Sequence, residues 1–144
     1  MSGTLYDECA SGNVEEAQQM ILNGADVNMA HNFRNGETPL YVACKNGELE
    51  IVKVLIASGA LLDKADNNGE TPLYVASSKG HLEIVKVLIA SGTLLDKADD
   101  NGKTPLYIAG SHYGRLEIVK ALIASGALLD KATNQYGCTP LYTA

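Results

Sequence analysis

A four-residue motif, Thr-Pro-Leu-Tyr, begins at Thr38, Thr71, Thr104 and Thr139, at intervals of 33, 33 and 35 residues. The 33 residues that start at Thr38 and the 33 that start at Thr71 differ at only seven positions. A fixed period of roughly 20–50 residues is typical of a solenoid, in which each unit packs against its neighbours. The chain is therefore predicted to be a stacked array of similar units.

Local signals predict two helices and a loop in each unit. Thr38 can cap a helix that has proline at its first position, and Gly47 favours the end of that helix. Apolar residues recur at helical spacing in the range 49–56 and predict a second helix. The following loop, residues 61–69, contains an Asn-Gly pair that favours a tight turn. The predicted fold class is an all-α repeat solenoid of helix-turn-helix pairs with projecting β-hairpin-like loops.

Three segments of one unit, together with a fourth segment in the next unit, resemble the ankyrin-repeat family. They are Gly-Glu-Thr-Pro-Leu-Tyr-Val-Ala at 36–43, Gly-Glu-Leu-Glu-Ile-Val-Lys-Val-Leu-Ile at 47–56, Ser-Gly-Ala at 58–60 and Gly-His-Leu-Glu-Ile-Val at 80–85. The resemblance implies stacked ankyrin repeats that present loop tips and first-helix surfaces along a concave face. It also implies that a loop asparagine such as Asn28 can be hydroxylated by an oxygenase.

The resemblance covers nearly the whole chain, so residues 1–144 are predicted to form a single ankyrin-repeat domain. Because the last motif has no second helix after it, we expect the chain to be a fragment of a longer array. We expect a monomer whose uncapped end allows self-association. The predicted units are a polar N-terminal capping repeat at 1–35, repeats at 36–68, 69–101 and 102–136, and the truncated start of a further repeat at 137–144.

Tyrosine follows Thr-Pro-Leu in every motif, where the family usually has histidine. Tyr6 falls in register with these tyrosines when Gly12 is aligned with Gly47. A residue that repeats at one position is predicted to pack between units, with its hydroxyl bonded to a neighbouring loop. The alternative is a row of exposed hydroxyls that binds a partner.

Composition argues against several classes of partner. With 11 Lys+Arg and 17 Asp+Glu, the net charge is 11 − 17 = −6, which disfavours nucleic acid and anionic membrane surfaces. No apolar run approaches the roughly 20 residues of a membrane helix, and the first residues lack a secretory signal. The cysteines Cys9, Cys44 and Cys138 are widely spaced, which disfavours disulfides and zinc sites. Free thiols fit a reducing compartment, so we expect an intracellular, cytoplasmic protein, with the nucleus as an alternative.

Catalysis finds little support in the residue pattern. The three histidines, His31, His81 and His112, lie at non-equivalent positions of different units. None of the common nucleotide-binding, metalloprotease or hydrolase motifs occurs in the chain. The chain is therefore predicted to have no enzymatic activity, no cofactor and no metal site.

Partner contacts are predicted where the period breaks. The loop at 31–36 is two residues longer than its counterpart, and the segments at 110–115 and 133–138 are each one residue longer. Each insertion carries an aromatic residue, a type that is enriched at binding hot spots, although each ring could instead fold back over its own loop. The candidate partner-binding residues are Phe33, Arg34, Lys45, Glu48, Ser78, Lys79, His112, Tyr113, Arg115, Gln135 and Tyr136.

The sequence therefore predicts a non-enzymatic scaffold that binds another protein through its concave face and loop tips. The alternative is a regulatory or tethering ankyrin segment of a larger multidomain protein. The near-identity of two units also fits an engineered array, against which the irregular first unit and the insertions argue.

Overall fold

The computed structural model describes residues 3–129, and within that range it contains eight helices arranged as four pairs. This arrangement confirms the predicted all-α repeat solenoid. The helices are α1 (Leu5–Ser11), α2 (Val14–Leu22), α3 (Pro39–Asn46), α4 (Leu49–Ala57), α5 (Pro72–Lys79), α6 (Leu82–Ala90), α7 (Pro105–Gly110) and α8 (Leu116–Ala124).

The first helix of each motif starts and ends as its sequence predicts. The Thr38 hydroxyl accepts a hydrogen bond of 3.1 Å from the Tyr41 backbone N–H, and the next two motif threonines form the same cap. Proline at the first helical position lacks an N–H that would otherwise stay unpaired. Gly47 and Gly80 end α3 and α5 with φ values of 81° and 82°, a left-handed backbone that favours glycine.

The fourth pair accommodates its predicted insertion by ending the first helix early. Helix α7 has six residues, whereas α3 and α5 have eight. Ser111 follows α7 with a right-handed backbone, at φ −86°, where the earlier repeats still continue the helix. The left-handed turn is delayed to Gly114, so the intervening residues project from the array as a longer turn.

The core consists of the same positions in successive units. First helices stack on first helices, and second helices stack on second helices. The motif leucines Leu40, Leu73 and Leu106 are at most 1% exposed. Equivalent apolar residues of the second helices are also buried, so each unit covers the apolar face of its neighbour. These second-helix residues are Ile51, Leu55, Ile84, Leu88, Ile118 and Leu122.

The connecting loops are hydrogen-bonded both internally and to one another. The Asp66 backbone N–H donates to the Glu70 carbonyl at 3.0 Å, and the other loops close in the same way. The Asn67 N–H donates to the Asn35 carbonyl of the preceding loop at 2.8 Å. The loops are therefore hairpin-like and form a continuous edge along the array, as the predicted fold class requires.

Candidate functional site

The repeated tyrosines within residues 3–129 are packed structural residues. Tyr41 is 3% exposed, and its hydroxyl donates a 2.9 Å hydrogen bond to the Glu70 carboxylate in the next loop. Tyr6 makes the equivalent bond to Glu37. Burial, together with these carboxylates, raises the pKa of both phenols well above the usual value of 10.0. The predicted packing role is confirmed for these tyrosines, and the alternative of exposed hydroxyls is wrong for them.

A groove of about 420 Å³ lies between the loops and the first helices. Four of the predicted binding residues, which belong to three different repeats, line this groove together. These residues are Lys45, Ser78, Lys79 and His112. The structure therefore joins sequence positions up to 67 residues apart, by the difference 112 − 45, into one surface.

The groove is lined by side chains of both charges. The loop residues Glu37, Asp66 and Glu70 line the groove together with the basic residues of the first helices. Lys45 forms an ion pair with one of these carboxylates, because its ammonium lies 3.1 Å from a Glu37 carboxylate oxygen. Burial, with smaller contributions from neighbouring carboxylates, raises the pKa of Glu70, although the Tyr41 hydrogen bond opposes that shift. A partner surface with both charges, or with many hydrogen-bonding groups, fits such a groove.

The acidic lining of the groove is the part of the site that the sequence reasoning missed. Glu37 and Glu70 occupy one repeat position and therefore look like scaffold. A usable signal is present in the next unit, because Lys103 replaces the glutamate. There the Lys103 ammonium lies 5.9 Å from the ring centre of Tyr107, and Tyr74 instead bonds to Asp99.

The two described insertions expose their aromatic rings. Phe33 is 92% exposed, and Tyr113 is fully exposed. The Phe33 ring meets the His31 ring edge-on with 6.3 Å between centroids, a contact that leaves most of its surface free. The alternative that these rings fold back over their loops is therefore wrong for both residues. The adjacent Arg34 is also exposed in the first loop.

Two predicted binding residues, Glu48 and Arg115, occupy one repeat position just before the second helices, and at this position Arg115 and His81 link neighbouring repeats. Arg115 donates from Nε and from Nη2 to the Ser78 carbonyl, each at 3.2 Å. His81 at the same position approaches the Lys45 carbonyl at 3.1 Å through Nε2. Glu48, the counterpart in the second repeat, caps α4 by position but makes no side-chain cap bond. The guanidinium of Arg115 thus joins two neighbouring repeats, whereas Glu48 is half-buried.

A second ladder joins the loops that follow the second helices. The Asp63 carboxylate accepts hydrogen bonds from the Thr93 hydroxyl at 2.7 Å and from the Leu94 N–H at 2.9 Å. The Asn28 carboxamide accepts from the Leu61 N–H at 2.8 Å in the equivalent way. These positions look like surface turn residues in the sequence, but they hold consecutive repeats together. Their recurrence at one register position is the signal that predicts such a role.

Two candidate residues, Gln135 and Tyr136, lie outside the described residues, as does the truncated unit at 137–144. Within residues 3–129, no cluster of His, Cys, Asp and Glu could hold a metal ion. Burial raises the pKa of the Cys9 thiol to about 12, so this group stays a neutral thiol near pH 7. No helix among these residues combines the length and apolar character needed to cross a membrane.

Two family models match the chain in tandem. The model described as "Ankyrin repeats (3 copies)" matches residues 5–99, and the model described as "Ankyrin repeat" matches residues 101–134. The matched ranges include all eight helices, so the resemblance seen in the sequence motifs is confirmed.

The chain is also similar to parts of two curated proteins. Protein phosphatase 1 regulatory subunit 27 of Mus musculus is 35% identical over 63 residues, which cover 44% of this chain and 40% of that protein. Ankyrin repeat domain-containing protein 40 of Homo sapiens is 39% identical over 56 residues, which cover 39% of this chain and 15% of that protein. The aligned stretches thus span less than half of either relative.

Proposed function

The chain belongs to the ankyrin-repeat family, and on that premise we propose that it is a non-enzymatic protein that binds another protein. The binding surface is the groove between the loops and the first helices, extended by the exposed loop tips. Ser78, Lys79 and His112 provide polar contacts in the groove, and Phe33 and Tyr113 provide apolar contacts at the tips.

The observation that carries this proposal is the separation of repeated from unrepeated residues. Among residues 3–129, the threonines, tyrosines and leucines of the Thr-Pro-Leu-Tyr motif are buried. The unrepeated residues Lys79, His112 and Tyr113 are exposed on the groove side and at the turn beside it. A rigid surface of this kind requires little ordering on binding, which favours affinity for a partner.

The test is quantitative affinity capture from host lysate with groove variants and a matched control. Lys79→Glu combined with His112→Ala reverses one charge and removes one ring that line the groove, and it should reduce partner recovery by about tenfold or more. Lys86→Glu changes the same charge on α6, outside the groove, and should leave recovery unchanged. Equal partner recovery with the wild type, the groove variant and Lys86→Glu would contradict the proposal. An equal loss of recovery in the groove variant and in Lys86→Glu would contradict it as well.

A second candidate is the role of a regulatory or tethering segment in a larger protein or complex. One relative is named a regulatory subunit of protein phosphatase 1, which favours this candidate. Purified protein phosphatase 1 mixed with this chain should then co-elute in size-exclusion chromatography. Separate elution at micromolar concentrations would count against that particular assignment.

The same proposal places the protein inside the cell, in the cytoplasm or nucleus, as a monomer. The buried free thiols of Cys9 and Cys44 support an intracellular location. The net charge of −6 argues against anionic membranes and nucleic acids as partners. Light scattering after size-exclusion chromatography checks the mass of 15.2 kDa. A dimer mass that persists on dilution would instead favour self-association.

A further inference from the structure

The first loop forms a separate pocket with the start of α1. His31 packs its ring against Tyr6 at a centroid distance of 4.8 Å, and Phe33 meets the His31 ring edge-on at 6.3 Å. Met29, which is 63% exposed, lines the same pocket. Exposed apolar side chains that line a common pocket are candidates for contact with a partner.

The size of the pocket limits what it can hold. Its volume is about 280 Å³, at the lower end of the roughly 300–1,000 Å³ that is typical of sites that enclose whole small ligands. Leu5 and Pro39 contribute apolar surface to the pocket, which is partly open to solvent. One bulky side chain that projects from a longer segment fits this shape.

The charge around the pocket indicates which residues should flank that side chain in the partner's segment. Asp26 lines the pocket and is exposed, and among residues 3–129 no lysine or arginine forms an ion pair with it. Residues 1–37 contain six acidic side chains against Arg34 alone, so their net charge is 1 − 6 = −5. A basic residue on the partner therefore complements this end of the array.

We propose that this pocket binds a peptide segment of the partner that places a bulky apolar side chain against Phe33 and Met29. A lysine or arginine one or two residues away along that segment pairs with Asp26. This proposal rests on the proposed function, because it specifies the chemistry of the partner that the protein-binding array recognises. The pocket lies beyond the groove, since Phe33, Met29 and Asp26 do not line the groove.

The test is selection of a random dodecapeptide phage library on the immobilised chain, followed by affinity measurements on the enriched peptides. Phe33→Ser should weaken binding roughly 30-fold, the loss that marks a hot-spot residue. Asp26→Asn should weaken it about fivefold and reduce its dependence on salt. Leu94→Ser is the matched control, because this leucine is also exposed but lies in the loop after α6 and lines neither the pocket nor the groove, and it should leave affinity unchanged.

Two further measurements distinguish the possible failures. Met29→Ser repeats the test at a second exposed residue, and unfolding curves confirm that each variant remains folded. Enriched peptides that lack an apolar residue beside a basic one, a library that yields no binders, or equal binding to wild type and Phe33→Ser would overturn the pocket. Peptides that respond to Lys79→Glu but not to Phe33→Ser would overturn the pocket and still support the groove. Peptides that respond to neither change would count against both.

Discussion

The hydrogen bond between Tyr41 and Glu70 links the second repeat to the loop that opens the third. Tyr41→Phe keeps the buried ring but removes the hydroxyl that donates to the Glu70 carboxylate at 2.9 Å. A hydrogen bond to a charged group contributes about 1.5–3 kcal/mol, and the partial exposure of Glu70 favours the lower end. We therefore expect the free energy of unfolding to fall by about 1.5 kcal/mol.

Urea denaturation followed by circular dichroism measures this loss. Tyr113→Phe removes a hydroxyl from a fully exposed tyrosine and should change stability by less than about 0.5 kcal/mol. In a double-mutant cycle, Tyr41→Phe should cost less when Glu70→Gln is also present, because the charged acceptor is then absent. An equal effect of the Tyr41 and Tyr113 changes, or full additivity in the cycle, would refute the reasoning.

Three other perturbations have predicted outcomes. Ser77→Ala should raise the free energy of unfolding by about 1 kcal/mol in urea titrations, because the buried Ser77 hydroxyl has no hydrogen-bond partner within the described part of the chain; a loss of stability would contradict this. Asp63→Ala should lower the free energy of unfolding by about 1–2 kcal/mol, since the buried Thr93 hydroxyl loses its acceptor. A change below about 0.5 kcal/mol in the same urea titration would show that this hydrogen bond between loops is dispensable. The raised pKa values of Tyr6, Tyr41 and Tyr74 mean that the unfolded chain releases these protons first as the pH passes about 10. The stability from the neutral phenols is thus complete below pH 10 and should fall above it by up to about 1.4 kcal/mol per pH unit for each tyrosine, and a flat profile between pH 10 and 11.5 in thermal melts would contradict this.

The fold could be predicted from the sequence because its determinants are local and repeated. Thr38 and Gly47 fix the ends of α3 through capping and a left-handed turn, and both signals recur in α5. Apolar periodicity then defines the second helices, whose buried faces only a neighbouring repeat can cover. Helix α7 is an exception, because a single inserted residue both ends the helix two residues early and lengthens the turn that follows it.

The candidate site could be predicted only in part, because the neighbouring repeat determines whether a side chain lines the groove or bonds to the scaffold. Lys79 and His112 break the period and do reach the groove. Arg115 breaks the period as well, yet its guanidinium bonds to a carbonyl one repeat away. The carboxylates of Glu37 and Glu70 follow the period but line the groove, since the tyrosine hydroxyls hold them there. Variation along the array is therefore a partial guide to exposure.

Site-specific photo-crosslinking tests most directly whether the groove is the recognition surface. A photoreactive amino acid replaces Lys79 in the groove in one protein and Glu83 on α6, outside the groove, in the other. On irradiation in host cells, the Lys79 position should yield a discrete adduct with a partner protein, and the exposed Glu83 position should yield none. Discrete adducts at Glu83 with none at Lys79 would contradict recognition through the groove.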